Sequence, residues 1–116
     1  MKYLLSAACV AALLTTATTA RADDEAIGAD ARCIAVFAAM VQMPAYKDAA
    51  GAGLLYYLGR LDARDPKLDL AAAVKHEAAR MDRTEYMAVA QRCGSTLKQR
   101  NDALKAAARD FPPPEH

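Results

Sequence analysis

From about residue 24 onward, apolar positions return at steps of three and four, the period of one helix face. Ile27, Ala31, Ile34, Ala38 and Val41 form one line, with Cys33, Phe37 and Met40 beside it. This predicts a first helix from about Asp24 or Asp30 to Met43, ended or kinked by Pro44. A second helix is expected over about Tyr46 to Ala63, where Leu54, Leu58 and Leu61 share a face with Ala50 and Tyr57. Gly51, Gly53 and Gly59 each weaken it by about 1 kcal/mol relative to alanine. Their density implies either a close helix–helix approach or a break near Gly51 to Gly53. The charged run Arg60 to Arg64 leads into Asp65-Pro66, a turn signal.

A third helix should take Asp69 as its N-cap and reach Met81. Its stripe is Leu70, Val74, Ala78 and Met81, and Lys75, His76 and Arg80 lie on its polar face. The fourth begins after Asp82, whose spacing to Glu85 fits a capping box. Its stripe starts at Tyr86, Ala90, Cys93 and Leu97 and continues through Asn101, Leu104, Ala108 and Phe111. That line crosses Gly94 without losing register, so it is one long helix or two collinear ones with Ser95 recapping. Pro112-Pro113-Pro114 stops it. With no period-two run of β-branched residues, strands are not expected. The fold class is all-α, a small bundle of about four helices.

The N-terminus follows a different pattern. Lys2 precedes an almost unbroken apolar stretch, Tyr3 to Leu14, and Ala20-Arg21-Ala22 forms an A-x-A site before the acidic Asp23-Asp24-Glu25. These features predict a cleavable signal peptide over residues 1–22 and a mature chain starting at Asp23, exported to the periplasm or secreted. The expected organisation is residues 1–22 as signal, 23–111 as one helical domain and 112–116 as a proline-rich tail.

Composition narrows the picture. The chain is 116 residues long and 54% hydrophobic. The segment from Asp23 onward holds only 24 large apolar residues besides its 22 alanines. That supply fits one small domain and excludes a multidomain enzyme. No apolar run after residue 22 is long enough for stable membrane insertion. With Cys9 in the signal, Cys33 and Cys93 remain, an even count that reads as one disulfide in an exported domain. The bridge would close a loop of about 60 residues and contribute roughly 4 kcal/mol. The rival reading, a redox-active pair, usually takes C-x-x-C spacing, which is not present here.

No arrangement of side chains points to catalysis. His76-Glu77-Ala78-Ala79-Arg80 is a zinc-protease motif without its second histidine, and the other histidine is His116. Gly51-Ala52-Gly53 lacks the preceding strand of a phosphate-binding loop. Met40 and Met43 offer two thioethers for Cu(I), but methionine equally fills cores. Ser95 and Thr96 have no candidate base but His76. Hence neither an enzyme, a metal site nor a cofactor is expected. From Asp23 on, 13 basic side chains face 14 acidic ones, with no basic block for nucleic acid or anionic lipid. The densest local pattern is Tyr56 to Pro66. Tyr56, Tyr57, Arg60, Asp62 and Arg64 are a candidate aromatic and arginine contact patch. The alternative is a helix end whose arginines pair with Asp62 and Asp65.

Y-Y-L-G-R-L-D-A-R-D-P at Tyr56–Pro66, with R-C-G at Arg92–Gly94 and Cys33 on the first helix, resembles a family of small exported helical proteins of Gram-negative bacteria. The likeness covers most of the mature chain. It implies an exported helical domain with one bridge, but brings no known activity. The plan is also distantly similar to periplasmic acid-stress chaperones of the HdeA type, which are short, helical and closed by one disulfide between an early and a late helix. Their early C-E-D-F-L-like motif is not matched by Cys33-Ile34-Ala35-Val36-Phe37, and their tryptophans are missing. The expected function is therefore binding of another polypeptide, with a chaperone-like role under envelope stress as one form of it. The alternative is a specific interaction protein, such as an envelope-complex subunit or a toxin neutraliser.

Overall fold

The structure, a computed structural model, describes residues 7–115, with side chains from Ala20 onward. The expected n-region at Lys2, the first residues of the apolar stretch and the Cys9 side chain lie outside the described residues. The described residues form four helices: α1 (Ala7–Met40), α2 (Lys47–Arg64), α3 (Leu70–Arg80) and α4 (Arg83–Ala108). All four were expected, and Cys33 and Cys93 are bridged.

Helix boundaries follow local chemistry. The Asp69 carboxylate accepts from the Ala72 N–H at 3.1 Å and caps α3. Asp82 and Glu85 complete a reciprocal capping box at the start of α4. α1 ends at Met40, before Pro44, and turns through to Tyr46, which precedes α2. Its N-terminal end departs from the expectation. The helix does not begin at Asp24 or Asp30 but runs unbroken through Ala20-Arg21-Ala22. Residues 7–23 hold seven alanines and two leucines and neither proline nor glycine, so nothing breaks the helix there despite four threonines. α4 is one continuous helix through Gly94, and Ser95 does not recap it.

α1 is the hub. The backbones of α2, α3 and α4 all pack on it, whereas the α3 backbone stands off from both α2 and α4. A helix packed on several sides buries more than one stripe. Val36, which lies on neither expected line, is fully buried beside Ala31, Cys33, Ile34 and Phe37, while Ala38 is exposed. On α2 the buried positions are Ala50, Gly53, Tyr57 and Leu61. Leu54 and Leu58 are only half-buried. The glycines do not break α2. At Gly53 a Cβ would stand 2.7 Å from the Phe37 ring, so glycine there permits the close approach of α1 and α2. On α3 the one buried residue is Glu77 rather than the expected Ala78. Its carboxylate accepts from Arg32 Nε at 2.8 Å, with Arg80 at 3.9 Å, and lies against Gly28. α4 is fixed to α1 by the disulfide and by Tyr86, whose hydroxyl donates to the Val36 carbonyl.

Candidate functional site

Two surfaces compete for function. The first is the cluster expected from sequence. Tyr57 is buried, its ring 6.0 Å from Phe37, and its hydroxyl donates to the Cys93 carbonyl at 3.4 Å. Tyr56 meets Tyr57 edge-on at 5.0 Å and is half-buried. The Arg60 guanidinium lies 5.8 and 5.6 Å from the two ring centroids. Arg60 and Arg64 do not use Asp62 and Asp65, the partners that local spacing suggested. Both donate Nε to the same Asp30 oxygen on α1, at 3.1 and 3.4 Å. Asp30 is 3% exposed, so this is a largely desolvated carboxylate held by two cations.

The shared environment splits the two phenols. The hydrogen bond from Arg60 holds the Tyr56 phenol below the ordinary tyrosine range, and Arg100 of α4 adds to this. Burial pushes the Tyr57 phenol up. The same cluster raises Arg60 further, through Tyr56 first and Asp30 second. Of the candidate contact patch, Asp62 is exposed, while Tyr57, Arg60 and Arg64 are turned onto α1 and α4. The cluster thus ties α2 to its neighbours.

The second surface is open. A cleft of about 420 Å3 lies where α1, α2 and α4 meet. α1 supplies Phe37 and Met40, and α2 supplies Ala49, Ala50 and Ala52. Ala90, Gly94, Leu97, Lys98 and Asn101 of α4 complete the lining. Beyond Asn101 the helix carries its stripe past the rest of the fold. Leu104 is 68% exposed and Phe111, just after the helix, 74%. The stripe therefore serves two purposes. Its first half, with Cys93, closes the bundle, and its second half has no intramolecular cover. Asp102 pairs with Lys98 at 2.6 Å along this arm, drawing the Lys98 ammonium up and the Asp102 carboxyl down.

Sequence reasoning found the stripe but missed the cleft. The available signal was two pairs of small residues, Ala49/Ala52 and Ala90/Gly94, each on one helix face. The remaining candidates are scattered. His76 is exposed beside Arg80 at 3.5 Å, while its neighbour Glu77 is buried on Arg32. The Thr96 hydroxyl donates to the Arg92 carbonyl and Ser95 is exposed. Met40 sits in the cleft, and Met43 and Met87 are exposed. Among the described residues, no three His, Cys, Asp or Glu side chains are grouped to hold a metal ion. No helix among them is long and apolar enough to cross a membrane. Comparison with protein-family models, curated proteins and solved structures finds no match to this chain.

Proposed function

We propose that this is an exported, non-enzymatic helical protein that binds another polypeptide. The observation that carries the reading is the open apolar surface formed by the cleft and the α4 arm. A cleft lined by small and apolar side chains, continued by exposed leucine and phenylalanine, is the surface a polypeptide partner covers. Export is supported by the signal-like N-terminus and by a disulfide, which persists in oxidising compartments. Intact-mass analysis of the exported protein should give a chain beginning at Asp23; retention of residues 1–22 refutes cleavage there.

A chaperone-like form of the reading draws on the buried carboxylates. Asp30 ties α2 to α1, and Glu77 ties α3 to α1. Acid strong enough to neutralise the carboxylates as a set moves the mature side-chain charge from −1 to about +15, and self-repulsion of that size loosens a small fold. The oxidised chain is then expected to suppress aggregation of unrelated clients at pH 2–3. A specific interaction protein instead forms a stoichiometric complex with a purified partner at neutral pH. Failure to hold polypeptide under either condition, with the chain still soluble, refutes the proposal.

A further inference from the structure

The partner's chemistry can be narrowed from the α4 arm, on the premise that the chain binds a polypeptide. From Leu97 the stripe steps by four, three, four and three, through Asn101, Leu104, Ala108 and Phe111. Leu97, Asn101, Leu104 and Ala108 take the d, a, d, a positions of a helix–helix seam, with a polar asparagine at the first a position, and Phe111 follows just past the helix end. The flanking e and g positions are Lys98, Arg100, Lys105 and Ala107. Every charge there is positive. The one acidic residue of the helical arm, Asp102, falls on outer position b, although it reaches back to Lys98, and Asp110 lies past the helix end. Pairing two copies of this arm, parallel or antiparallel, sets cation against cation or alanine along both edges.

We infer that the cleft and the α4 arm form a groove for a helix of another polypeptide, whose apolar seam is edged by aspartate or glutamate. Three observations converge on a helix of that charge. The rim is cationic on both sides of the seam. The cleft is concave and walled by Ala49, Ala52, Ala90 and Gly94, which let a helix about 10 Å wide approach closely, whereas a flat bilayer surface leaves such a cleft unfilled. The uncovered stripe runs from Asn101 to the helix end at Ala108, roughly 12 Å, with Phe111 just beyond it, enough to engage about one heptad. Asn101 stands where the cleft passes into the arm, in a position to fix register with a polar residue opposite.

The test uses the oxidised mature chain and a three-heptad helical peptide with leucine at a and d, one asparagine at a, and glutamate at e and g. A matched peptide carries lysine at e and g. Fluorescence anisotropy should show the acidic peptide binding at least about tenfold more tightly than the basic one at low salt. Lys98→Glu with Lys105→Glu should reverse that order. Leu104→Asp, at an exposed position, should abolish binding while circular dichroism stays unchanged. Equal binding of both peptides, or a preference that the charge reversal leaves in place, overturns the inference. So does binding of phosphatidylglycerol vesicles in place of the acidic peptide, or a self-associated dimer that Leu104→Asp dissolves. If the acidic peptide fails while the chain still holds a client or a neutral-pH partner, only the partner's chemistry is overturned. If all fail, the polypeptide-binding reading falls too.

Discussion

Replacing Gly53 with alanine tests the α1–α2 seam with a single methyl group. An ideal Cβ at Gly53 stands 2.7 Å from Cδ2 and Cε2 of Phe37 and 2.9 Å from Cγ. Carbon atoms pack at about 3.5–4.0 Å, so the ring or the α2 backbone must give way by about 1 Å. The ring has little freedom, since Phe37 is buried and packed against Tyr57. Overpacking of this kind costs about 1–3 kcal/mol. Alanine's better helix propensity returns about 1 kcal/mol. The expected net loss is therefore roughly 0–2 kcal/mol. Gly51 and Gly59 are the internal controls, because a Cβ at either meets nothing within 4 Å. There alanine should stabilise by about 0.5–1 kcal/mol. Urea unfolding of the oxidised chain, followed by far-ultraviolet circular dichroism, reads all three against the parent at constant m-value. In thermal melts the gap should amount to several degrees, at roughly 4–8 °C per kcal/mol for a domain of this size. If Gly53→Ala is as stable as Gly51→Ala and Gly59→Ala, Phe37 does not lie against Gly53 and the seam is wrongly described.

Asp30→Asn should cost about 2–3 kcal/mol, less than loss of a fully buried pair, because the two guanidiniums keep about a third of their surface in water; a change within about 0.5 kcal/mol in urea melts contradicts the clamp. Reduction of Cys33–Cys93 should lower stability by up to about 4 kcal/mol, read as a fall in the urea midpoint with reductant, and an unchanged midpoint contradicts it. Absorbance titration should resolve one phenol ionising early and one late, with Tyr56→Phe removing the early component and Tyr57→Phe the late one. Because the folded state raises Tyr57, its contribution to stability is complete below the ordinary tyrosine range and is lost as pH rises through the folded value. A Tyr57→Phe chain whose alkaline stability profile matches the parent refutes that assignment.

The local features were the legible ones. Asp69, Asp82 with Glu85, and Pro44 act within a few residues of themselves, so their spacing carries the information. The disulfide followed from counting. Long-range partnerships did not. The burial of Glu77 depends on Arg32, 45 residues away, and Arg60 and Arg64 bypass nearby aspartates for Asp30 on another helix. Val36 lies off the expected lines because periodicity anticipates one buried face, whereas α1 carries three neighbours. The α4 stripe shows the opposite limit. Its rhythm is as regular at Leu104 and Phe111 as at Ala90 and Cys93, yet only the inner half is covered. Periodicity names a face; it does not say whether anything lies on it.

The Cys33–Cys93 crosslink divides the chain topologically. Residues 34–92 form a covalent ring that holds all of α2 and α3, whereas the α4 arm beyond Cys93 hangs outside it. A peptide bond cut in the exposed turn at Pro66–Lys67 leaves both pieces joined, and the mass rises only by one water. A cut after Arg100 instead sheds Leu104 and Phe111 together, one after Lys105 sheds Phe111 but keeps Leu104, and both leave the ring closed. A protease would thus have a route to strip the molecule without dismantling it: trimming one unprotected end removes the exposed apolar side chains while the clamped helices persist.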